Sequence, residues 1–207
     1  MCTPWQEIPL EDYEAHMSLP SVGQAGMLAD QLAQLIGRHA PTSVAIIGCA
    51  GGNGLERIDP TRVERVVAID VNPEYIAAAK LRHADRLGNL DFRCADVQSE
   101  TLTFDAVALI YAALIFEYVD VAATFATLKR NLQPGGILAV LLQLRHSDQW
   151  VVSASPHRSL DKLIPALKLV EPDELRAYAT AAGFTVASSN RIDLPSGKRF
   201  WLQSFRG

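Results

Sequence analysis

The stretch IIGCAGGNGL at residues 46–55 restricts the folds open to this chain more than any other segment. It closes an uninterrupted apolar run, SVAII at Ser43–Ile47, the pattern of a strand covered on both faces of a parallel sheet. Glycines directly after such a strand let the backbone turn sharply and present N–H groups to a ligand. The same bend serves nucleotides, dinucleotides and other adenosine-bearing molecules, so the surrounding order of elements has to decide its use.

That order is a regular alternation. Leu28, Leu32, Leu35 and Ile36 recur at helical spacing within 21–39, with Gly37 and Pro41 ending the helix. A second buried strand is predicted at 63–70. Asn72, Pro73 and Glu74 then supply an N-cap, a first-turn proline and a first-turn acid for a helix running toward His83. Strands follow at 89–96 and 105–111, and Val121, Phe125, Leu128 and Leu132 form another helical stripe. Gln133-Pro134-Gly135-Gly136 reads as a turn before a fifth strand at 137–144. Such alternation predicts an α/β fold, a doubly wound, mostly parallel sheet with helices on both faces and ligands beyond the carboxyl ends of the strands.

After Leu144 the pattern changes. Residues 145–159 show no sustained period, and 159–169 reads as a short helix with an internal proline. A helix at 171–182 turns Leu175 and Tyr178 inward and ends on Gly183. Strands at 184–192 and 199–205 are joined by a hairpin turn, Leu194-Pro195-Ser196-Gly197. The expected organisation is one domain over 1–207, with 1–40 as an N-terminal helical cap and 145–170 inserted over the substrate cleft.

Composition narrows the partners. A formal net charge of -4 with Lys and Arg scattered through the chain argues against nucleic acid, which calls for a basic stripe. No apolar stretch reaches the roughly 20 residues of a bilayer span. The N-terminus is acidic without an apolar signal core, so a cytoplasmic protein is expected. Cys2, Cys49 and Cys94 lack C-x-x-C spacing and are expected to be free thiols, with no metal site.

Two acids give the glycine bend its meaning. Asp70 ends the second predicted strand about 22 residues after Gly48, where a carboxylate can accept hydrogen bonds from ribose hydroxyls. Asp96 ends the third in the same way, within reach of an adenine amine. In succession GCAGGNG, VVAID, CADV, DAVALIY, LQPGGILAV and AGF resemble the motifs of class I S-adenosylmethionine-dependent methyltransferases, closely from Ser43 to about Leu142.

The resemblance implies a seven-stranded sheet with an antiparallel last strand and S-adenosylmethionine as cofactor for methyl transfer; the short segments expected to cover the cleft, 1–28 and 145–169, suit a small-molecule acceptor. It assigns Gly48, Cys49, Ala50 and Gly52 to the methionine part, with Asn53 in the cofactor-binding set. It assigns Asp70 to the ribose, Val71 and Asn72 to the adenine face, Asp96 and Val97 to the adenine amine, and Tyr111 and Ala112 to the sulfonium. Two positions depart from the family pattern: Ile46 stands where most members carry an acid, and Ala50 where they carry a second glycine.

Candidate bases are His16, His146, His157, Tyr13 and Glu117, with His146 foremost because it follows the fifth strand; Glu117 reads more simply as an acid at a helix N-terminus. His39 and His83, near helix ends, read as structural. Trp5, Tyr13, His16 and Trp150 are candidates for the acceptor pocket. The alternatives are a non-catalytic module that holds S-adenosylmethionine or S-adenosylhomocysteine, motivated by Ile46, and an NAD(P)-dependent reductase.

Overall fold

The computed structural model describes residues 3–86, 88–145 and 155–207. Seven strands form one sheet: β1 Ser43–Ile47, β2 Arg65–Asp70, β3 Leu90–Cys94, β4 Val107–Ala113, β5 Leu132–Gln143, β6 Thr185–Asp193 and β7 Arg199–Arg206. Their order is β3-β2-β1-β4-β5-β7-β6. The first five strands pair in parallel, and β7 runs antiparallel to both β5 and β6. The helices are α1 Leu10–Ser18, α2 Gln24–His39, α3 Pro73–His83, α4 Val121–Arg130 and α5 Pro172–Ala181.

The apolar runs are continuous because both faces of the sheet are covered. In β1, Val44 and Ile46 pack with Leu28, Leu32 and Ile36 of α2 and Ile76 of α3. Ala45 and Ile47 belong to the opposite core, with Phe125 and Leu128 of α4 and Leu175 and Ala179 of α5. Each large aliphatic side chain so buried contributes about 1.5–3 kcal/mol of transfer free energy. The chain leaves β1 toward β2 on one side, while β4 flanks it on the other. A crevice therefore opens beyond the carboxyl ends of β1 and β4, where such sheets bind ligands.

Several expected boundaries move. The first long helix starts at Gln24 instead of residue 21, because Gly23 at φ +64° interrupts the helical backbone. β2 begins at Arg65, not at 63. β3 ends at Cys94, so Asp96 lies in the loop past the strand, and β4 extends two residues beyond Tyr111 to Ala113. Gln133-Pro134-Gly135-Gly136 does not separate helix from strand. It bulges within β5, where the register to β4 jumps from Val107↔Leu132 to Leu109↔Ile137. The C-terminal residue satisfies its backbone: Gly135 N donates to Gly207 O and Gly207 N to Gly136 O, each at 3.0 Å.

On α5, Leu175 is buried as expected but Tyr178 is 39% exposed. Ala179, one turn from Leu175, takes the inward position instead. The helix predicted at 159–169 is a 3-10 helix, Arg158–Ala166, a tighter i→i+3 coil used in short pieces, with Pro165 near its end. α1 gave no periodic signal, since it buries only His16 and Met17.

Candidate functional site

The bend after β1 is held against the end of β2 by its own backbone. Gly48 N and Cys49 N both donate to Ile69 O, at 2.8 and 3.0 Å. Asp70 continues the latch: Oδ2 accepts from Ala50 N and Oδ1 from Asn72 N, each at 2.9 Å. Gly48 sits at φ +73°, a conformation that favours glycine, and an added Cβ would displace the tip of the Ile115 side chain. Ala50 adopts φ +47° without being glycine, as does Leu114 at φ +57°. Both line the crevice, where strained backbone tends to collect. Burial pushes the Asp70 carboxyl above its ordinary value, opposed by the N–H groups of Asn72, Ala50 and Val71. Each of its oxygens keeps acceptor capacity for a ligand.

Beyond this latch lies a cavity of about 370 Å³. Its floor is the strand tips: Gly48 and Ala50 after β1, Asp70 and Val71 at β2, Asp96 and Val97 after β3, Ala113 and Leu114 at β4, and Gln143 at β5. Trp5, Tyr13 and His16 close it from the N-terminal side, and Leu160, Leu163 and Leu167 from above. Trp5 stands edge-on to Tyr13 at 5.7 Å and to Tyr118 at 5.0 Å, and Tyr13 stacks on Tyr75 at 6.0 Å.

The two covering segments are joined to each other. Ile8 packs with Leu160 and Leu163, and Lys162 pairs with Glu7 at 2.8 Å. Asp12 accepts from the Ser159 hydroxyl at 2.6 Å and pairs with His157 Nδ1 at 2.9 Å, contacts that hold its carboxyl below the usual range. His157, a candidate base, is thus engaged with Asp12 and is not among the cavity-lining residues.

Of the residues singled out from sequence, Gly48, Ala50, Asp70, Val71, Asp96, Val97, Tyr13 and His16 line one cavity. Others stand behind it. Cys49 is buried in the core under the bend. Gly52 leaves room for His83, whose Cδ2 would be 2.6 Å from an added Cβ. Asn53 Nδ2 donates to Ala25 O at 3.1 Å. Asn72 caps α3 and donates to Trp5 O at 2.9 Å, tying the N-terminal segment to β2. The Tyr111 hydroxyl donates to Leu28 O at 3.1 Å, away from the cavity, and Ala112 is packed in the opposite core. The longer β4 puts Ala113 and Leu114 at the tip instead. His146 and Trp150 lie outside the described residues.

Two cavity-lining groups were misread or missed. Glu117 precedes the start of α4, whose N-cap is Asp120, so it has no helix-terminal role. It is 1% exposed, its Oε1 accepts from Gln143 N at 2.7 Å, and its Oε2 has no partner among the described residues. Burial pushes it up to about 7, against the lowering effect of the Gln143 N–H. The sequence signal was an acid inside an otherwise apolar stretch, Ile115-Phe116-Glu117-Tyr118-Val119. Lys198 is 6% exposed, and its ammonium has no hydrogen bond or ion pair among the described residues. Burial brings it down to about 8. His16, whose Nδ1 has no partner among the described residues, is held low by burial and then by nearby Lys198. Lys198 gave no sequence signal, since a lysine in a hairpin turn is ordinarily solvated.

Residues 46–140 match the methyltransferase domain family. That match, together with the strand order, supports a methyltransferase domain of the class I S-adenosylmethionine-dependent kind over this part of the chain. No curated protein matches the sequence. Among solved structures, the N-methyltransferase NodS from Bradyrhizobium japonicum WM9 in complex with S-adenosyl-L-homocysteine is similar at 20% identity and a TM-score of 0.64, covering 98% of this chain and 90% of that one. Magnesium protoporphyrin IX methyltransferase from Synechocystis PCC 6803 is similar at 12% identity and a TM-score of 0.67, covering 89% and 83%. The cyclase SpnF is similar at 17% identity and a TM-score of 0.67, covering 86% and 80%. At these identities the structures share a fold with this chain, and their substrates are their own. Among the described residues no helix is long and apolar enough to cross a membrane, and no group of His, Cys, Asp or Glu could hold a metal ion.

Proposed function

We propose that this methyltransferase holds S-adenosylmethionine along the floor of the cavity and passes its methyl group to a small-molecule acceptor beneath the N-terminal and 155–167 cover. The observation that carries the assignment is convergence. The glycine bend, the Asp70 carboxylate and the Asp96 carboxylate come from three successive strands and open on one space. Asp70 has acceptor capacity left for ribose hydroxyls after its two backbone contacts, and Asp96, whose Oδ1 accepts from Gln98 N at 2.9 Å, has capacity left for an adenine amine. The backbone at Gly48–Ala50, with Tyr13 and His16 opposite, borders the space left for the methionine moiety.

When bound, the cosubstrate supplies a methyl group already activated on a positively charged sulfur. The protein therefore contributes alignment and exclusion of water, and orientation of this kind is worth about 7 to 11 kcal/mol in well-placed systems. Trp5, Tyr13, Tyr118, Leu160 and Leu163 form the wall that keeps water out. A cavity near the lower end of the roughly 300–1,000 Å³ range for ligand sites, shared with a cosubstrate, leaves room for a small acceptor. We place the protein in the cytoplasm, 1–207 as one domain, and nucleic acid among its non-partners.

The test is methyl transfer from radiolabelled S-adenosylmethionine to a cell extract. Label in a dialysable compound that separates from S-adenosylmethionine on chromatography, and that does not form without the protein, supports a small-molecule acceptor. Label retained only on protein or nucleic acid overturns it.

A further inference from the structure

The cavity carries two buried groups of opposite charge type that are not paired with each other. Glu117 follows β4 and touches Gln143 at the tip of β5, and Lys198 immediately precedes β7. Both lie toward the β4-β5-β7 side of the sheet, whereas the glycine bend, Asp70 and Asp96 belong to the β1-β2-β3 side. A carboxylate and an ammonium in contact would lower the acid and raise the amine. Here the acid is raised and the amine lowered, the signature of two separately desolvated groups. An isolated buried charge is costly, and a ligand that brings the complementary charge removes the penalty.

Resting on the assignment of this cavity to methyl transfer, we propose that the acceptor is a small apolar amino acid, with its carboxylate held by the Lys198 ammonium and the amine to be methylated facing Glu117. A zwitterion satisfies both groups at once, whereas an anion leaves Glu117 unpaired and a cation leaves Lys198 unpaired. Trp5, Tyr118, Leu160 and Leu163 line the same cavity and suit an apolar side chain on the carbon that carries both groups. The ionised Glu117 carboxylate takes one proton from the substrate ammonium, and the freed nitrogen lone pair forms the new C–N bond. The S–CH3 bond breaks with its electron pair staying on sulfur. The products are an N-methylammonium and a neutral thioether, and the proton on Glu117 returns to solvent.

The test is calorimetry on protein saturated with S-adenosylhomocysteine, using the proteinogenic amino acids, their amides and their 2-hydroxy acid counterparts, with methyl transfer followed in parallel. At least one apolar amino acid is expected to bind and be N-methylated, with its amide and hydroxy acid weaker by at least about tenfold. Lys198→Met, which keeps the apolar stem and removes the buried charge, should abolish the preference for acid over amide. Glu117→Gln, which keeps the acceptor for Gln143 N, should slow transfer and flatten its pH profile. Melting curves show that each variant is folded.

Protein that binds S-adenosylhomocysteine but neither binds nor methylates any of these amino acids overturns the proposal, as does equal binding of acid and amide. A Lys198→Met loss of S-adenosylhomocysteine affinity of about tenfold or more also overturns it, by assigning Lys198 to the methionine carboxylate of the donor. Failure of the wild-type protein to bind S-adenosylhomocysteine at all would instead remove the underlying assignment of the cavity.

Discussion

Replacing Glu117 by Gln should change how stability depends on pH in the ligand-free protein. The carboxyl is buried, with one oxygen on Gln143 N and the other without a partner among the described residues. Its folded value is raised from an ordinary 4.5 to about 7. Between those limits the folded state holds a proton that the unfolded chain has released, so stability falls as pH rises. Below 4.5 both states are protonated and nothing is lost. Above about 7 the loss is complete, and at about 1.4 kcal/mol per pH unit it amounts to about 3 kcal/mol. Gln cannot ionise and escapes this loss. Its amide N–H introduces a separate cost of about 1–3 kcal/mol if unpaired, but that cost does not vary with pH. The diagnostic is therefore the change in the variant-minus-wild-type difference between pH 4.5 and 8, measured by urea denaturation at each pH. The difference should move in favour of Gln by about 3 kcal/mol, all of it inside that window. A difference that stays flat, or moves in favour of Glu, would refute the burial argument.

Three further outcomes follow from the same geometry. Asp70→Asn should weaken S-adenosylhomocysteine binding by at least about tenfold, about 1.4 kcal/mol by calorimetry, and an unchanged affinity would remove Asp70 from the ribose. Ala50→Gly should raise stability by about 1 kcal/mol, because Ala50 holds φ +47°; the readout is a higher urea midpoint with unchanged slope. Asp12→Ala should speed amide exchange within 155–167 while leaving the urea midpoint of global unfolding nearly unchanged, since Asp12 links only the covering segments through Ser159 and His157.

The sheet was legible because its strands are apolar on both faces, and only a doubly covered strand tolerates runs such as Ser43–Ile47. α3 was legible from its N-terminal signal, Asn72 capping Glu74 N and Tyr75 N before Pro73 fixes the first turn. The cosubstrate edge was partly legible: the glycine bend and two acids were found, but the reach of β4 was underestimated by two residues. That shift exchanged Tyr111 and Ala112 for Ala113 and Leu114 at the tip. The bulge at Gly135 depended on pairing with Gly207, a contact 72 residues away that no local pattern encodes.

Glu117 was misread for a related reason. Three residues before the Asp120 cap it looks like a helix-start acid, and its burial against β5 is a tertiary fact. Lys198 is the plainest case. Its sequence setting is a solvated hairpin, and only the cover formed by the N-terminal helices turns that hairpin into a wall of the cavity.

Every role assigned above requires the cavity beyond β1, β2 and β3 to hold an adenosine-bearing thioether or its sulfonium. Calorimetric titration of the purified protein with S-adenosylhomocysteine tests it most directly. Saturable heat at one ligand per chain, weakened in Asp70→Asn and absent with NAD or NADP, is the predicted result. No saturable heat with S-adenosylhomocysteine, or binding that is unaffected by Asp70→Asn and displaced by NADP, would contradict it.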